Sequence, residues 1–492
     1  MNETETWRRL SPRMLAVHPV QEAVRFLPVL VGVLFIGQNG QGHLWSLIGL
    51  GLAIGAGLLR WFTTTYHIDP THVRVRRGLL RRRELSVPRD RVRTVDLTAH
   101  PMQRVLGLSR VVIGTGRSDR GSEGVTLDAL TAAEAARLRA ELLGRPVPVS
   151  AADAPEAGPS TGSELARLSP RWMLYGPFTL SGIATFGVVA GWVGNETRFD
   201  PEEFGLFRSV IGQFSELPVA VAVLEIVVAV AVLVAVLSIA AYVLAFWRFR
   251  LVRTDGTLHV TRGLLTTRST TIELRRLRGA EISEPLLLRA VGGARCLAIT
   301  TGLRVGRGAE RGGSVLLPPA PRAEARRVAE EVTGETGPAT HPLVRHGGRA
   351  RRRRHTRAFV FAALVTGILA LLWWLAGWPA WPWQAALALF PLGALLAEDR
   401  YRNLGHALLG RRLIIGIGSL VRRRYLLSSD GVIGWVIRRS FFQRRAGLVS
   451  LTATTAAGQG HYTCVDLPAA EAIALADAAV PSLLEPFLVR RQ

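Results

Sequence analysis

The amino-acid sequence predicts a polytopic α-helical membrane protein, with six transmembrane helices arranged as three hairpins and three small β-rich domains between and after them. Two observations carry this prediction. Long uncharged apolar stretches recur along the 492 residues, of which 48% are hydrophobic, and about 17 to 25 apolar residues suffice for a helix to cross a bilayer. A glycine-anchored β pattern then follows each apolar region, which is typical of an internal repeat.

The apolar stretches come in three pairs, and each pair is interrupted by a short polar or aromatic segment. The first pair spans residues 24–59, with a break at Gln38–Gly42. The second spans residues 172–247 and is split by an acidic segment. The third spans residues 358–397 and is split by the Trp- and Pro-rich turn Gly377–Trp383. Each pair therefore predicts one hairpin of two spans.

Arginines predict the orientation of these hairpins. The chain has 61 Lys and Arg against 37 Asp and Glu, a net charge of +24, and the arginines flank the ends of the hairpins rather than their turns. Short loops rich in Lys and Arg stay cytoplasmic, so both termini and all β-rich domains are expected on the cytoplasmic side of a bacterial inner membrane. The same excess predicts contact with anionic lipid headgroups, and the absence of interleaved aromatics argues against nucleic acid.

Glu225 is the one acidic residue well inside an apolar stretch. An intramembrane carboxylate is by default a hypothesis for a functional site, here an element of a proton or ion path. However, Glu225 lies near the outer end of a long segment, and a tilted helix would place it among the headgroups. We favour this second interpretation.

Three copies of one β-rich unit follow the hairpins, in a register that has no gaps for twenty-nine positions. A glycine begins the register, a second glycine ends it, and an arginine stands three residues before that end. The shared positions are Gly78, Gly263 and Gly418 at the start, Gly107, Gly292 and Gly447 at the end, and Arg104, Arg289 and Arg444 before the end. We call Gly78, Gly263 and Gly418 the reference glycines.

The copies predict three domains separated by linkers. We assign the domains to residues 60–144, 248–333 and 399–483. Residues 145–170 are rich in Pro, Ala, Ser and Gly and are expected to be a linker, and residues 334–357 are expected to be a basic linker. Domains of roughly this size fold readily as units.

Within each copy the pattern is β. His72–Arg76 alternates with period two, Arg77–Leu80 supplies a turn, and Arg83–Pro88 resumes the strand. Each copy closes with a helix, which in the first copy begins with a capping box made by Thr131 and Glu134. Several strands and one C-terminal helix indicate a small β-sandwich or barrel.

At these residues the chain resembles the bacterial pleckstrin-homology-like domain family of type 2 (bPH2, DUF304). The motifs are Arg77–Leu80, Val87–Val92 and Pro101–Leu108, and the third copy departs from the first of them at Ile417–Leu420. The resemblance implies a seven-stranded PH-like fold for each domain, docked near the inner leaflet. PH-like domains serve as scaffolds for lipid headgroups, peptides or oligomerisation, and a fold does not by itself imply a function.

Catalytic, cofactor and metal-binding motifs are not found in the sequence, so we predict a protein that is not an enzyme and has no cofactor. Cys296 and Cys464 lie far apart in β-like stretches and are expected to be buried and unpaired. His346 and His355, which flank a run of arginines, are expected to be exposed.

Two arginine triplets are the candidate sites for anionic lipid. Arg81, Arg82 and Arg83 follow the first reference glycine, and Arg422, Arg423 and Arg424 lie in the corresponding segment of the third copy, one position later. The resemblance implies that early hairpin loops form a phosphate-contacting rim. The alternative, which we favour, is a generic attraction of basic residues to an anionic leaflet, of about 1 kcal/mol each. If one copy has a specific site, the first is expected to have it.

These observations predict a non-enzymatic membrane scaffold whose PH-like domains bind partner proteins or anionic lipid at the inner leaflet, with envelope homeostasis as the expected process. A protein partner or a homo-oligomer is expected. The alternative is a six-span transporter or export-associated protein in which the PH-like domains are regulatory and Glu225 belongs to the pathway.

Overall fold

The computed structural model describes ten stretches of the chain, and the predicted first hairpin, residues 24–59, lies outside them. The described residues are 8–9, 65–69, 71–77, 83–89, 94–99, 101–114, 125–142, 162–179, 219–301 and 314–487.

The first copy consists of short antiparallel strands followed by a helix. Its elements are β1 (Arg8–Arg9), β2 (Thr65–Ile68), β3 (His72–Arg77), β4 (Arg83–Pro88), β5 (Thr94–Ala99), α1 (Pro101–Val105), β6 (Leu108–Gly114), β7 (Val125–Thr131) and α2 (Ala132–Leu142). The predicted capping box of α2 is confirmed, because the Glu134 amide donates to Thr131 Oγ1 at 3.2 Å and the Thr131 amide donates to Glu134 Oε2 at 3.1 Å.

The second copy repeats this order and adds a long apolar helix. Its elements are β8 (Ser163–Arg167), a 3-10 helix (Pro170–Phe178), α3 (Val219–Phe246), β9 (Arg250–Thr254), β10 (Thr257–Arg262), β11 (Thr267–Glu273), a 3-10 turn (Leu274–Arg276), β12 (Leu277–Pro285), α4 (Leu286–Ala290), β13 (Gly293–Thr300), β14 (Val315–Pro321) and α5 (Arg322–Thr333). Strand β8 belongs to the stretch that we predicted to be a linker.

The third copy begins with helices and ends with the same strands. Its elements are α6 (Gly347–Ala376), α7 (Trp381–Ala386), α8 (Leu389–Arg402), β15 (Gly405–Leu409), β16 (Arg412–Ile417), β17 (Val421–Ser428), a 3-10 turn (Ser429–Gly431), β18 (Gly434–Arg438), α9 (Phe441–Ala446), β19 (Leu448–Thr454), β20 (His461–Pro468), α10 (Ala469–Ala479), α11 (Pro481–Leu484) and a 3-10 turn (Glu485–Phe487).

The sheets continue from one copy into the next. The last three strands of the first copy extend the first sheet of the second copy in the order β7-β6-β5-β11-β10-β9-β8, and the same exchange gives β14-β13-β12-β17-β16-β15. We call the β5–β11 pairing the first junction and the β12–β17 pairing the second junction. At the two ends, β1-β2-β3-β4 and β18-β19-β20 form separate smaller sheets. The copies are therefore joined by backbone hydrogen bonds, which edge strands readily provide.

Both junctions have the same register when residues are counted from the reference glycines. In the first junction Leu97, nineteen positions after its glycine, faces Ser269, six positions after the next glycine. In the second junction Ile282 and Arg424 occupy these same positions and face each other. Since a shift by one residue would turn every side chain to the other face, the two junctions are built to one rule.

The hydrophobic cores follow the sheets. The core of the first copy is formed by residues such as Val73, Val111 and Leu138. The core of the second copy also includes Ile414 and Leu426 of the third copy. Conversely, Ile299 of the second copy packs into the core of the third. Apolar packing therefore holds the second and third copies together as one layered body. The two cysteines, Cys296 and Cys464, are buried and unpaired, as predicted.

Gly263 and Gly418 each stand in a turn that only glycine fits. Gly263 has φ +107° and Gly418 has φ +96°, a region that other residues rarely adopt. A Cβ atom at either position would collide with the carbonyl oxygen of Thr266 or Val421. This double constraint explains why glycine stands at these positions in the repeat.

The prediction of six transmembrane helices is wrong. Within the described residues, two helices are long and apolar enough to span a membrane, Val228–Phe246 of α3 and Gly347–Ala376 in α6, with mean hydropathies of 2.8 and 2.3. Only 17% and 6% of the residues in these windows are buried, so their apolar side chains face outward as lipid contact requires. The prediction of three repeated β-rich domains is confirmed.

The return half of the predicted third hairpin is divided into α7 and α8. Pro391 explains the break, because it cannot donate to the carbonyl of Leu387 and its ring crowds that turn. The two legs still pack closely, with Phe359 stacked on Phe390 at 6.2 Å and Ala358 beside Gly393. The feature is a long helix with a shorter, broken partner rather than a pair of spans.

Two other expectations need correction. Trp172, which we expected to begin a span, lies in the 3-10 helix Pro170–Phe178 and is buried in the core of the second copy. The basic linker predicted at residues 334–357 is ordered, since Ala339 is buried in that core and Val344 forms a bridge with His406. Its basic half forms the first turns of α6, where local helical hydrogen bonding replaces the flexibility that its composition suggested.

Candidate anion-binding site at the second junction

The repeated arginine of the first and second copies reaches the turn that follows the next reference glycine. Arg104 Nη1 donates to the Leu264 carbonyl oxygen at 3.4 Å, and Arg289 Nη1 donates to the Ser419 carbonyl oxygen at 3.2 Å. Leu264 and Ser419 each follow their reference glycine directly. The arginine found by sequence comparison therefore joins neighbouring copies, a role that the sequence could not reveal.

These turns lie at the ends of the apolar helices. The amide of Leu264 donates to the Leu244 carbonyl oxygen of α3 at 2.9 Å. In the third copy, Asn403 Nδ2, directly after α8, donates to the Ile417 carbonyl oxygen at 2.5 Å. Each junction is thus fixed beside the end of a helix, α3 at the first junction and α8 at the second.

A small cavity opens at the second junction, close to the end of α8. It has a volume of about 150 Å³, several times the roughly 30 Å³ that one water molecule takes in the liquid. We call it the arginine pocket. The residues that line it are Ile282, Glu284, Arg322, Arg326, Ala339, Asn403, Arg422, Arg423 and Arg424.

The third-copy triplet belongs to this pocket. Strand β17 carries all three arginines and pairs them with β12, Arg422 opposite Glu284 and Arg423 opposite Ser283. The structure therefore brings the predicted residues Arg422, Arg423 and Arg424 into one site. That site is a cleft between two copies, however, and not the exposed loop rim that the resemblance implied.

Carboxylates neutralise part of the positive charge. Arg422 pairs with Asp399, and Arg423 Nε lies 3.5 Å from Glu281 Oε1. Partial burial disfavours the charged form of Asp399, yet hydrogen bonds from Arg422 and Ser419 hold its pKa below the usual range. Burial raises the pKa of Glu281 against the lowering effect of Arg423.

Positive charge remains in excess. The lining has five arginines and one carboxylate, Glu284, whose Oε1 lies 3.1 Å from Arg322 Nε. Burial lowers the pKa of Arg424, and the charge of nearby Arg326 lowers it further. Guanidinium groups that repel one another in a partly dry cleft would be stabilised by an anion.

Donor groups are available for such an anion. Within the described residues, Nε of Arg422 and Nε of Arg424 are buried and make no hydrogen bond, although Arg424 Nη2 donates to the His341 carbonyl oxygen. Buried N–H groups normally have a partner, a water molecule or an ion. Planar guanidinium groups suit the tetrahedral oxygens of phosphate, so the chemistry of the pocket fits a phosphate group.

The first triplet is not placed in this way. Arg81 and Arg82 lie outside the described residues, and Arg83 begins β4. Glu225 is exposed in the second turn of α3, outside the candidate span Val228–Phe246. A lipid site in the first copy and a role of Glu225 both stay predictions.

A second polar cluster, which the sequence did not indicate, ties α6 to the third copy. Asp466 is buried and accepts hydrogen bonds from Arg353, Arg354 and Gln443. Its φ of +62° is unusual for a residue other than glycine. The cluster fixes the start of α6 against β20.

His346 lies next to this cluster and is 1% exposed, so the expectation that it is exposed is wrong. Its Nδ1 lies 2.8 Å from the Val465 carbonyl oxygen and its Nε2 lies 3.1 Å from His406 Nδ1. The carbonyl can only accept, so Nδ1 of His346 carries the proton and Nε2 of the neutral ring accepts from His406. Burial lowers the pKa of His346 to about 4.

The described residues contain no group of three or more His, Cys, Asp or Glu side chains that could hold a metal ion.

Comparisons with known proteins agree with the repeat. A family model described as bacterial PH domain matches three stretches, residues 23–146, 209–336 and 357–478. The chain is similar to the UPF0699 transmembrane protein YdbT of Bacillus subtilis (strain 168), with 18% identity over 436 residues, 86% of each chain. No solved structure gives a significant match.

Proposed function

Because the chain belongs to the bacterial PH domain family, we propose that it is a non-enzymatic membrane scaffold whose arginine pocket binds the phosphate of an anionic lipid headgroup. The excess of guanidinium groups in the pocket is the observation that carries this proposal. Arginine binds phosphate through paired, charge-assisted hydrogen bonds, and the pocket is near the end of α8, where headgroups would be within reach.

The proposed location is the bacterial inner membrane, with the β-rich copies on the cytoplasmic side. The apolar helices and the name of the Bacillus subtilis relative, a transmembrane protein, support membrane residence. The arginines that flank the apolar stretches support the cytoplasmic side, since basic segments are retained there. Anionic lipid at the inner leaflet would then meet the pocket directly. The continuous sheets would present further surface to partner proteins.

The experiment uses the full chain, purified in a neutral detergent and titrated with short-chain phosphatidylglycerol or phosphatidylcholine. Phosphatidylglycerol is expected to raise the midpoint of thermal unfolding, because a ligand that binds only the folded state stabilises it, whereas phosphatidylcholine is expected to have little effect. Arg326 lines the pocket and makes none of the ion pairs described above, so Arg326→Gln should weaken binding about tenfold, or roughly 1.4 kcal/mol, without disturbing the junction.

Arg411→Gln is the matched control, since it removes the same charge from an exposed pair with Asp430 outside the pocket. It should bind phosphatidylglycerol as the unmodified chain does. Equal loss of affinity in both variants would show a generic charge effect and contradict the proposal. A further titration with inorganic phosphate separates the sources: full competition indicates recognition of the phosphate itself, and no competition indicates that binding depends on the rest of the lipid.

A further inference from the structure

We infer that chains of this protein assemble head to tail, with the exposed edge of β18 in one chain pairing with the exposed edge of β4 in the next. This inference concerns a second copy of the chain as partner and does not depend on lipid binding by the arginine pocket.

The chain presents the two halves of an interface that it already builds twice. Strands β5, β12 and β18 occupy the same place in the three copies, and so do β4, β11 and β17. The first junction joins β5 to β11, and the second joins β12 to β17. Among the described residues, β18 pairs only with β19 and β4 pairs only with β3. The free edge of β18 in one chain could therefore pair with the free edge of β4 in another, as the equivalent strands pair at the two junctions.

The common register of the two junctions defines how these ends would meet. In the second junction Gly279 faces Leu427 and Glu281 faces Tyr425. The equivalent residues at the chain ends, counted from the reference glycines, place Gly434 opposite Val87 and Val436 opposite Leu85. A Cβ on Gly279 would collide with the Leu426 carbonyl oxygen, and the equivalent residue in β18, Gly434, is also glycine.

Burial differs at the ends in the way that a missing neighbour predicts. Leu85 in β4 is 43% exposed, whereas its equivalents Thr270 and Tyr425 are 8% and 2% exposed. Ile437 in β18 is 41% exposed, whereas its equivalent Ile282 is 2% exposed. Apolar side chains stand where the inner copies have neighbours, and an exposed apolar edge strand is a template for pairing.

The surroundings of β18 extend this apolar edge. Phe441 and Phe442 of α9 are 59% and 70% exposed, and their rings contact each other edge to face at 5.5 Å. Arg444 stands at the position from which Arg104 and Arg289 contact the following copy. The described residues place no further copy beside Arg444, and in the assembly this arginine would make the same contact with a second chain.

Membrane residence restricts the assembly. A head-to-tail interface generates a closed ring or an open row, depending on the rotation that relates neighbours. Chains that share one bilayer are related by rotation about the membrane normal, so the helices of every member remain embedded. The assembly would be a ring or a flat row on the membrane surface, with each interface adding one more continuous sheet.

The test uses two full-length variants with one new cysteine each, Leu85→Cys and Val436→Cys, expressed together in membranes. Directly opposed side chains on antiparallel strands have Cβ atoms about 4.5 to 5.5 Å apart, close enough to form a disulfide. Both substituted residues are partly exposed, and the native Cys296 and Cys464 are buried and will not react. Mild oxidation is expected to link the two variants into a heterodimer, and neither variant expressed by itself is expected to form a dimer.

Ile437→Cys is the matched control, because adjacent residues of a strand point to opposite faces. Together with Leu85→Cys it is expected to give at least tenfold less heterodimer. The inference is overturned if Leu85→Cys and Val436→Cys give no heterodimer, if the Ile437→Cys control links equally well, or if either cysteine links to a different protein. These variants leave every arginine of the pocket in place, so their failure would not bear on lipid binding.

Discussion

Arg289 of the second copy donates a 3.2 Å hydrogen bond to the backbone carbonyl of Ser419 in the third copy. Its Nη1 also lies 3.6 Å from Asp399 Oδ2 at the end of α8. One side chain thus joins the second copy, the turn of the third copy and the end of α8. Arg104 makes the equivalent contact with Leu264, so the contact is a rule of the architecture.

Replacement of Arg289 should therefore weaken the second junction. Arg289→Ala removes a charged donor from a half-buried carbonyl, which typically costs about 1 to 3 kcal/mol, and the midpoint of thermal unfolding in detergent should fall accordingly. Arg444→Ala, at the same position in the third copy, is the control and should change stability by less than about 0.5 kcal/mol in a dilute monomeric sample. Equal effects would show that the contact with Ser419 contributes nothing particular.

The buried His346 predicts a loss of stability in mild acid. Burial lowers its pKa from 6.5 to about 4, so the unfolded chain takes up a proton between these values while the folded chain does not. The free energy of unfolding should therefore keep the full contribution of the neutral His346 above pH 6.5, and it should fall by about 3 kcal/mol as the pH falls to 4. Unfolding midpoints measured across this range check the prediction.

In His346→Gln this part of the pH dependence should flatten, because glutamine does not titrate. His355→Gln is the control, since it makes the same substitution at a histidine of α6 that is only partly buried. An unchanged profile in His346→Gln would assign the acid sensitivity to other groups.

Asp466 predicts a strong effect of charge removal. Asp466→Asn keeps the shape and tolerates the left-handed backbone, but it leaves Arg353 and Arg354 without their buried counterion. Removal of one partner from a buried ion pair typically costs about 3 to 5 kcal/mol. Asp430→Asn, in the exposed pair with Arg411, should cost less than about 1 kcal/mol. Thermal unfolding of both variants makes the comparison, and similar shifts would contradict a structural role for the cluster.

Replacement of Gly418 should reduce stability more than replacement of a glycine that merely has a left-handed backbone. Gly418→Ala brings a Cβ against the Val421 carbonyl oxygen at φ +96°, so strain and collision act together and should cost on the order of 3 kcal/mol. Gly410 has φ +54° and nothing near its Cβ position, so Gly410→Ala should cost only about 1 kcal/mol. The difference between the two unfolding midpoints measures the collision.

Much of the local structure could be predicted from sequence. The capping box at Thr131 and Glu134 and the turns at Gly263 and Gly418 depend on near neighbours in the chain, which the sequence shows directly. The burial of Cys296 and Cys464 followed from the apolar β pattern around them. The count of spans could not be predicted, because hydropathy does not register the effect of Pro391 on helix hydrogen bonding or the folding of Trp172 into a β-rich core.

Only part of the candidate site could be predicted from the sequence. The arginine triplet at Arg422–Arg424 was apparent, but its ion-pair partners Asp399 and Glu281 are distant in sequence, and Glu281 belongs to the second copy. The same holds for His346, whose partners Val465 and His406 are distant in sequence. The neighbouring run of arginines suggested that His346 is exposed, whereas packing against residues distant in sequence buries it.

The sequence by itself determined that this chain is a threefold repeat of a β-rich unit with apolar helices, because spacing, periodicity and glycine turns are local properties. Only the tertiary structure decided that Arg104 and Arg289 reach the following copy and that sheets run across the copy boundaries. Strand edges carry backbone donors and acceptors that are the same for every residue type. Which edge pairs with which is therefore settled by packing in three dimensions, as in the pairing of β5 with β11 and of β12 with β17.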